Sequence, residues 1–344
     1  MPVFELTKHG QFLQLSRQNP ELFASRRHFT LSDHTQVTLY GAGMIGFEPE
    51  QDSDKSIVLS SGIHGNETAP IEICDAMVQD ILTGKLQVSQ RVLFLFGNLA
   101  AMDIAERFIE ENMNRLFSGA HSAPPGLCND ERKRALELEN VVAEFFGQRQ
   151  DRRYHYDLHT AIRGSKNDKF AVYPFLHGRP WKISQLQFLA ACGVTTFLLS
   201  ESPTTTFSYF SSRQFGADAF TVELGKVMPF GHNDMSRFAA TDKTLRRFIS
   251  HGQIDLGDFD PAQMDIFKIH QVINKTRDDF KLNFADDALN FTDFPPGYVL
   301  AEENGTKYQA EYPGEAIVFP NAKVALGQRA LLTVIPTEIG QGWE

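Results

Sequence analysis

The sequence predicts an α/β sandwich with a mostly parallel sheet, followed by a smaller β-rich domain, and three observations carry that prediction. Short apolar runs alternate with longer segments of helical periodicity up to about residue 250, as expected of strands and helices laid down in turn. Beyond that point short strands follow one another, separated by the turn signals Pro295-Pro296-Gly297, Asn304-Gly305, Pro313-Gly314 and Pro320-Asn321. A chain of 344 residues is also long enough for a large domain and a second one. The expected division is an α/β domain at 1–252 and a β-rich domain at 253–344.

Residues 1–50 read as a weakly patterned lead-in, with Gln36-Val37-Thr38-Leu39-Tyr40 alternating as an edge strand would. The glycines of 41–46 have dinucleotide-loop spacing, but Phe-Glu-Pro follows where that loop needs a helix. The run 57–60 reads as a buried strand and 71–82 as a helix, with Pro70 in the first turn, where a missing N–H costs nothing. A second buried strand, 91–96, precedes a short helix at 99–109 that carries Arg107. Residues 118–129 are a Gly, Pro, Ser and Asn rich loop, after which Asp130 is placed to cap a helix over 131–146. Strands follow at 154–158, 170–175, 195–199 and 219–225, with helices at 180–191 and 234–250. The β-rich part is expected to hold strands at 266–273, 280–284, 297–300, 306–310, 316–319 and 330–334.

The totals narrow the function classes. Composition is that of an ordinary globular protein, 42% apolar and 22% charged, and the net charge is −10. That balance argues against nucleic acid or an anionic membrane as a partner. An anionic substrate would have to be met by a local cluster of Arg. The three Cys (Cys74, Cys128, Cys192) form no Cys-x-x-Cys and suggest a reducing compartment. Residues 1–14 carry no basic-then-apolar leader pattern, and no apolar run reaches the length of a membrane span. A cytoplasmic protein is the expectation, and a homo-oligomer is left open.

The chemistry gathers at strand ends. Gly62-Ile63-His64-Gly65-Asn66-Glu67-Thr68-Ala69-Pro70 lies where a strand hands over to a helix, the edge at which open α/β sheets bind ligands. A lone His-x-x-Glu is common by chance, and gains meaning only with a third ligand. His159 supplies one at another strand end, giving the two His and one carboxylate that zinc hydrolases use while keeping a position for water. Asp157 lies two residues earlier on the same strand face, placed to orient a ligand or a nearby Arg. Glu223 sits in the apolar run Ala-Phe-Thr-Val-Glu-Leu-Gly, where a carboxylate is costly unless paired or catalytic. Arg107, Arg115, Arg163 and Arg213 follow strands in loops or helix starts; converging, they would suit a substrate with several carboxylates.

These residues, with Gly97-Asn98, Asn114-Arg115, Asp157-Leu158-His159-Thr160-Ala161-Ile162-Arg163-Gly164-Ser165, Thr221-Val222-Glu223-Leu224-Gly225-Lys226 and Pro229-Phe230-Gly231, resemble the succinylglutamate desuccinylases. That group lies in the aspartoacylase branch of the zinc carboxypeptidase-like hydrolases. Leu289-Asn290-Phe291 and Phe319-Pro320-Asn321 also fit, so the resemblance spans about 57–335. It implies a zinc carboxypeptidase-like α/β/α sandwich and one zinc ion per chain, held by His64, Glu67 and His159. It implies Glu223 as general base and acid, and Arg107 as the residue that helps polarise the scissile carbonyl. Asn114 and Arg115 would grip one substrate carboxylate and Arg213 another, the Arg213 role resting on its spacing from Glu223. The reaction implied is hydrolysis of N-succinyl-L-glutamate to succinate and L-glutamate, the last step of arginine catabolism through succinylated intermediates.

Arg163 follows His159 by four residues and is expected to bind the carboxylate of the succinyl tail. The β-rich segment is expected to supply no metal ligand but to wall the site. Two other readings stay open at this level: a related zinc N-acyl amino acid deacylase or carboxypeptidase with another anionic substrate, and a metabolite-binding protein without activity.

Overall fold

The computed structural model describes residues 3–147, 149–340 and 342–344; Met1, Pro2, Gln148 and Gln341, including the first two residues of the stretch read for a leader, lie outside the described residues. Helices α1 (Val3–His9) and α2 (Phe12–Gln18) are followed by strands β1 (Arg27–Thr30), β2 (Gln36–Gly41) and β3 (Met44–Glu48). Next come β4 (Lys55–Ser61), α3 (Thr68–Leu82), β5 (Arg91–Phe96), α4 (Leu99–Asp103), α5 (Asp130–Phe146), β6 (Arg152–Ala161) and β7 (Phe170–Tyr173). They lead to α6 (Ile183–Ala191), β8 (Thr196–Leu199), α7 (Phe207–Phe215), β9 (Asp218–Lys226) and α8 (Ala239–Ser250). The rest is β10 (Asp265–Asn274), β11 (Lys281–Leu282), β12 (Thr292–Asp293), β13 (Val299–Glu303), β14 (Thr306–Gln309), β15 (Ala316–Val318) and β16 (Arg329–Thr337), with one short 3₁₀ turn at Pro261–Gln263.

The centre of the large sheet is β5-β4-β6-β9, parallel throughout. Every residue of β4 and β5 is buried, because helices cover both faces. Alternate residues point to opposite layers: Ile57, Leu59, Val92 and Phe94 pack with α3, α6 and α8, whereas Val58, Leu93 and Leu95 pack with α5 and α7. The chain leaves β4 for β5 on one side and reaches β6 on the other. That reversal of strand order opens a crevice at the carboxyl ends of β4 and β6.

Several local expectations are corrected. The sheet is mixed: β1, β2 and β3 run antiparallel up to β5, and β7 is antiparallel to β9, while β7, β8 and β10 are parallel to one another. The 36–40 strand is not an edge, since β1 lies outside it. The lead-in holds two helices whose Leu6, Phe12 and Leu13 join the core; each spans seven residues, too few turns to show a clear period. The helix expected over 99–109 stops at Asp103, and Ala105 takes a left-handed backbone conformation (φ 55°). Arg107 is therefore in a loop. Asn129, not Asp130, caps α5, its side chain accepting the Arg132 N–H.

The division proposed at 252/253 falls in the connector before β10, yet the sheet continues across it. β10 pairs in parallel with β8 over Asp265 to Lys268 and then antiparallel with β16, so β16, β15 and β12 extend the same thirteen-stranded sheet. β11, β13 and β14 form a separate small sheet. Asn290, fully buried, docks this region on the loop after β6: its N–H donates to Gly164 O (3.0 Å), its O accepts from Lys166 N (3.1 Å), and its Oδ1 accepts from Phe319 N (2.9 Å).

On α3, Asp75 accepts the Leu13 N–H and so ties α2 to the sandwich, but burial pushes its carboxyl up to about 6. The folded state then holds its proton more tightly than the unfolded chain does, so this group's contribution to stability falls as pH rises from about 4 to about 6. Asp75→Asn keeps the acceptor and removes the buried charge. It should raise stability at pH 7 by about 1–3 kcal/mol and flatten that part of the profile, as denaturant unfolding at several pH values would show. A variant less stable than the parent at pH 7 would contradict this account.

Candidate active site

The site is built around Glu67, the first residue past the turn that ends β4. Gly62 takes a left-handed conformation there (φ 66°), and at Gly65 a Cβ would run into the Ala101 backbone, so the turn is pressed against α4. The Glu67 carboxylate is saturated. His64 Nδ1 lies 2.9 Å and Arg107 Nη1 2.5 Å from Oε1, while His159 Nδ1 (2.8 Å) and the Thr160 N–H (3.1 Å) reach Oε2. His64, Glu67 and His159 are all buried and offer ligand atoms within 4.8 Å of one another, a set that could hold a metal ion.

The outer nitrogens of the two rings are held in place. His64 Nε2 meets Asn112 Oδ1 (2.9 Å) and His159 Nε2 meets Asp157 Oδ2 (2.9 Å), which turns both Nδ1 atoms towards Glu67. A relay runs on from Asp157: its Oδ1 accepts from Ser60 Oγ (2.5 Å), Ser60 Oγ contacts His155 Nε2 (2.8 Å), and His155 Nδ1 contacts Ser211 Oγ on α7 (2.7 Å). Period-two geometry places His155, Asp157 and His159 on one face of β6, and the register sets Ser60 beside Asp157. Glu223 pairs in register with His159 on the neighbouring β9, and its Oε2 has no partner among the described residues.

The charges fit a cation. Burial pulls the His64 imidazole down to about 4, helped by Arg107, which leaves the neutral ring that a ligand must be. Burial acts on His159 in the same sense, but Asp157 and Glu67 outweigh it and hold that ring well above its ordinary value. Glu67 stays well below the carboxylate range because His64, Arg107 and His159 overcome its burial. The field of the two carboxylates thus favours positive charge between His159 and Glu67, where a dication is the alternative to a proton. Burial, then the Glu67 charge, pushes Glu223 up to about 7, the range for a group that takes and returns a proton.

Residues 53–249 match the succinylglutamate desuccinylase/aspartoacylase catalytic domain family, and residues 262–337 match the AstE/AspA barrel-sandwich hybrid domain. The succinylglutamate desuccinylase of Pseudoalteromonas atlantica is 60% identical over 340 residues, 98% of this chain and 97% of that protein. The crystal structure of the succinylglutamate desuccinylase from Chromobacterium violaceum superposes with a TM-score of 0.84 at 41% identity, covering 96% of this chain and 98% of that one. That from Vibrio cholerae gives 0.86 at 34% identity, covering 96% of each chain.

The chain belongs to the succinylglutamate desuccinylase/aspartoacylase family.

In this family member, the expected site residues are only partly brought together. Arg107 reaches Glu67 and Arg115 lies on the 3₁₀ turn Met113–Arg115, its guanidinium pulled down to about 10 by burial and by Arg107. Asn114 is buried, and its Oδ1 accepts the Phe207 N–H (3.2 Å). Arg163 does not extend past the candidate metal ligands as expected. Its guanidinium donates to the carbonyls of Asp286, Ala288 (2.9 Å) and Pro320 (3.2 Å), fastening the C-terminal segment. Arg213 does not follow a strand. It is exposed near the end of α7 and lines a separate cleft with Ser118, Glu139 and Phe215.

Asn112, two residues before Asn114, and Arg329 were not singled out from the sequence. Ser60 and His155 also passed as ordinary strand residues; a His and a Ser on the faces that carry Asp157 were the available signal. No helix among the described residues is long and apolar enough to cross a membrane.

His159→Ala removes one candidate ligand atom and leaves Asp157 Oδ2 without its partner. Elemental analysis of the variant should show loss of most bound divalent metal, and full retention would refute the ligand set.

Proposed function

We propose that the protein is a zinc-dependent amide hydrolase that converts N-succinyl-L-glutamate and water to succinate and L-glutamate. The observation that carries this reading is the buried His64, Glu67 and His159 set with Glu223 in register beside it. The donor chemistry, two neutral-capable imidazoles and one carboxylate, suits zinc. One ion per chain would be held by these three side chains. Zinc bound there would supply Lewis acidity, making bound water more acidic and drawing electron density from the scissile carbonyl.

The chain's own residues do the rest. Glu223, its Oε2 free and its pKa near 7, takes the proton of the attacking water and delivers it to the leaving amine. Burial makes that transfer effective, since the group is neither fully charged nor fully neutral near neutral pH. Arg107 lends positive charge beside the carbonyl as its oxygen gains negative charge. Asn114 and Arg115 receive one substrate carboxylate. The reaction is the closing step of arginine catabolism through succinylated intermediates. A cytoplasmic location is in keeping with three cysteines that form no disulfide.

Glu223→Gln preserves shape and removes the proton carrier, so kcat should fall by ~10²–10⁴ with metal content unchanged. Near-normal kcat would make Glu223 a structural acid. Across a panel of N-acyl amino acids, N-succinylglutamate should exceed N-acetylglutamate in kcat/KM by at least roughly 10²-fold, because a pocket built for the tail carboxylate rejects substrates that lack it. A preference for acetyl or for peptide substrates would favour an aspartoacylase-like or carboxypeptidase activity.

A further inference from the structure

Arg163, the cation first expected for the succinyl tail, is tied to three carbonyls, and Arg213 lines another cleft. Arg329, the first residue of β16, comes from the C-terminal segment and lies within electrostatic range of Arg115, Arg107 and Glu223. Its Nε is buried without a partner. It rests instead on the Phe319 ring, 5.3 Å from the centroid. Phe319 packs on Phe170 (5.5 Å), and Phe170 pairs in register with Glu223. Phe319 is itself held in a left-handed conformation (φ 53°) by the bond from its N–H to Asn290. The Leu289-Asn290-Phe291 and Phe319-Pro320-Asn321 stretches thus form a strap that holds one guanidinium within electrostatic range of Glu223.

Arg329 is half-buried, but its Nε is buried without an acceptor, which is costly, and more so with two other guanidinium groups of like charge within range. The arrangement makes sense if an anion completes it. Arg107 and Arg115 come from one loop, whereas Arg329 arrives over Phe170 from the far end of the chain. A substrate with a charged group on each side of its amide would span between them.

Resting on the desuccinylase reading, we propose that Arg329 binds the terminal carboxylate of the succinyl group, making the C-terminal segment part of the specificity pocket. A guanidinium forks onto a carboxylate in two-point geometry, with the Phe319 ring keeping the fork in plane.

The test is an enzyme-by-substrate cycle on the zinc-loaded full-length protein. Arg329→Gln should lower kcat/KM for N-succinylglutamate by at least roughly 10²-fold and leave N-acetylglutamate within about threefold. By calorimetry, succinate affinity should fall by a similar factor while glutamate affinity holds. Equal losses on the two substrates would overturn the proposal, as would unchanged succinate affinity. Arg329→Lys keeps the charge, guards against misfolding of the glutamine variant, and should still weaken succinate because an ammonium cannot fork; undiminished succinate binding in it would also overturn the proposal. Failure of the unaltered protein to cleave N-succinylglutamate would instead reject the reaction itself.

Discussion

Everything at the site depends on one carboxylate. Glu67 lies within hydrogen-bond distance of two imidazole nitrogens, and it accepts from a guanidinium and a backbone N–H. These partners come from the turn after β4, the loop after α4 and the end of β6, so the carboxylate locks three chain segments together. It can do so only because the β4–β6 register brings Ser61 level with Leu158 and so sets His159 beside the turn. Gly62 and Gly65 permit the tight bend against α4 that the same geometry requires. A network so fully connected tolerates burial, whereas a half-satisfied one would not.

The second constraint is electrostatic. A chain of net charge −10 collects Arg107, Arg115 and Arg329 within reach of one another at its crevice. Their mutual repulsion and burial lower the guanidinium pKa of Arg115 and Arg329. Two carboxylates, Glu67 and Glu223, oppose them, and Glu67 is already engaged. The crevice is therefore poised for anions, in a protein whose remaining surface would repel them.

The C-terminal segment is more than an appendage. It continues the large sheet through β10, is clamped on the loop after β6 by Arg163 and by the bonds of Asn290, and brings an aromatic ring onto Phe170, which pairs with Glu223. Its contribution is a wall and a charge, with no metal-ligand candidate among the described residues.

Local signals in the sequence were enough for the central strands, because β4, β5, β6 and β9 are apolar runs with helices between them. They were enough, too, for His64, Glu67, His159 and Glu223, since a polar residue at a buried strand end or inside an apolar run stands out without any partner in view. The short N-terminal helices did not stand out, as seven residues carry too little periodicity. The arginines were decided only by tertiary structure. A long flexible side chain ends where distant segments place its partners, and nothing beside it in sequence records that. Arg163 and Arg213 looked suitable by spacing and were drawn elsewhere, while Arg329 lay just before the strand expected over 330–334 and drew no notice. It faces the crevice because Asn290 and Phe319, remote from the metal ligands along the chain, fold the strap that carries it there.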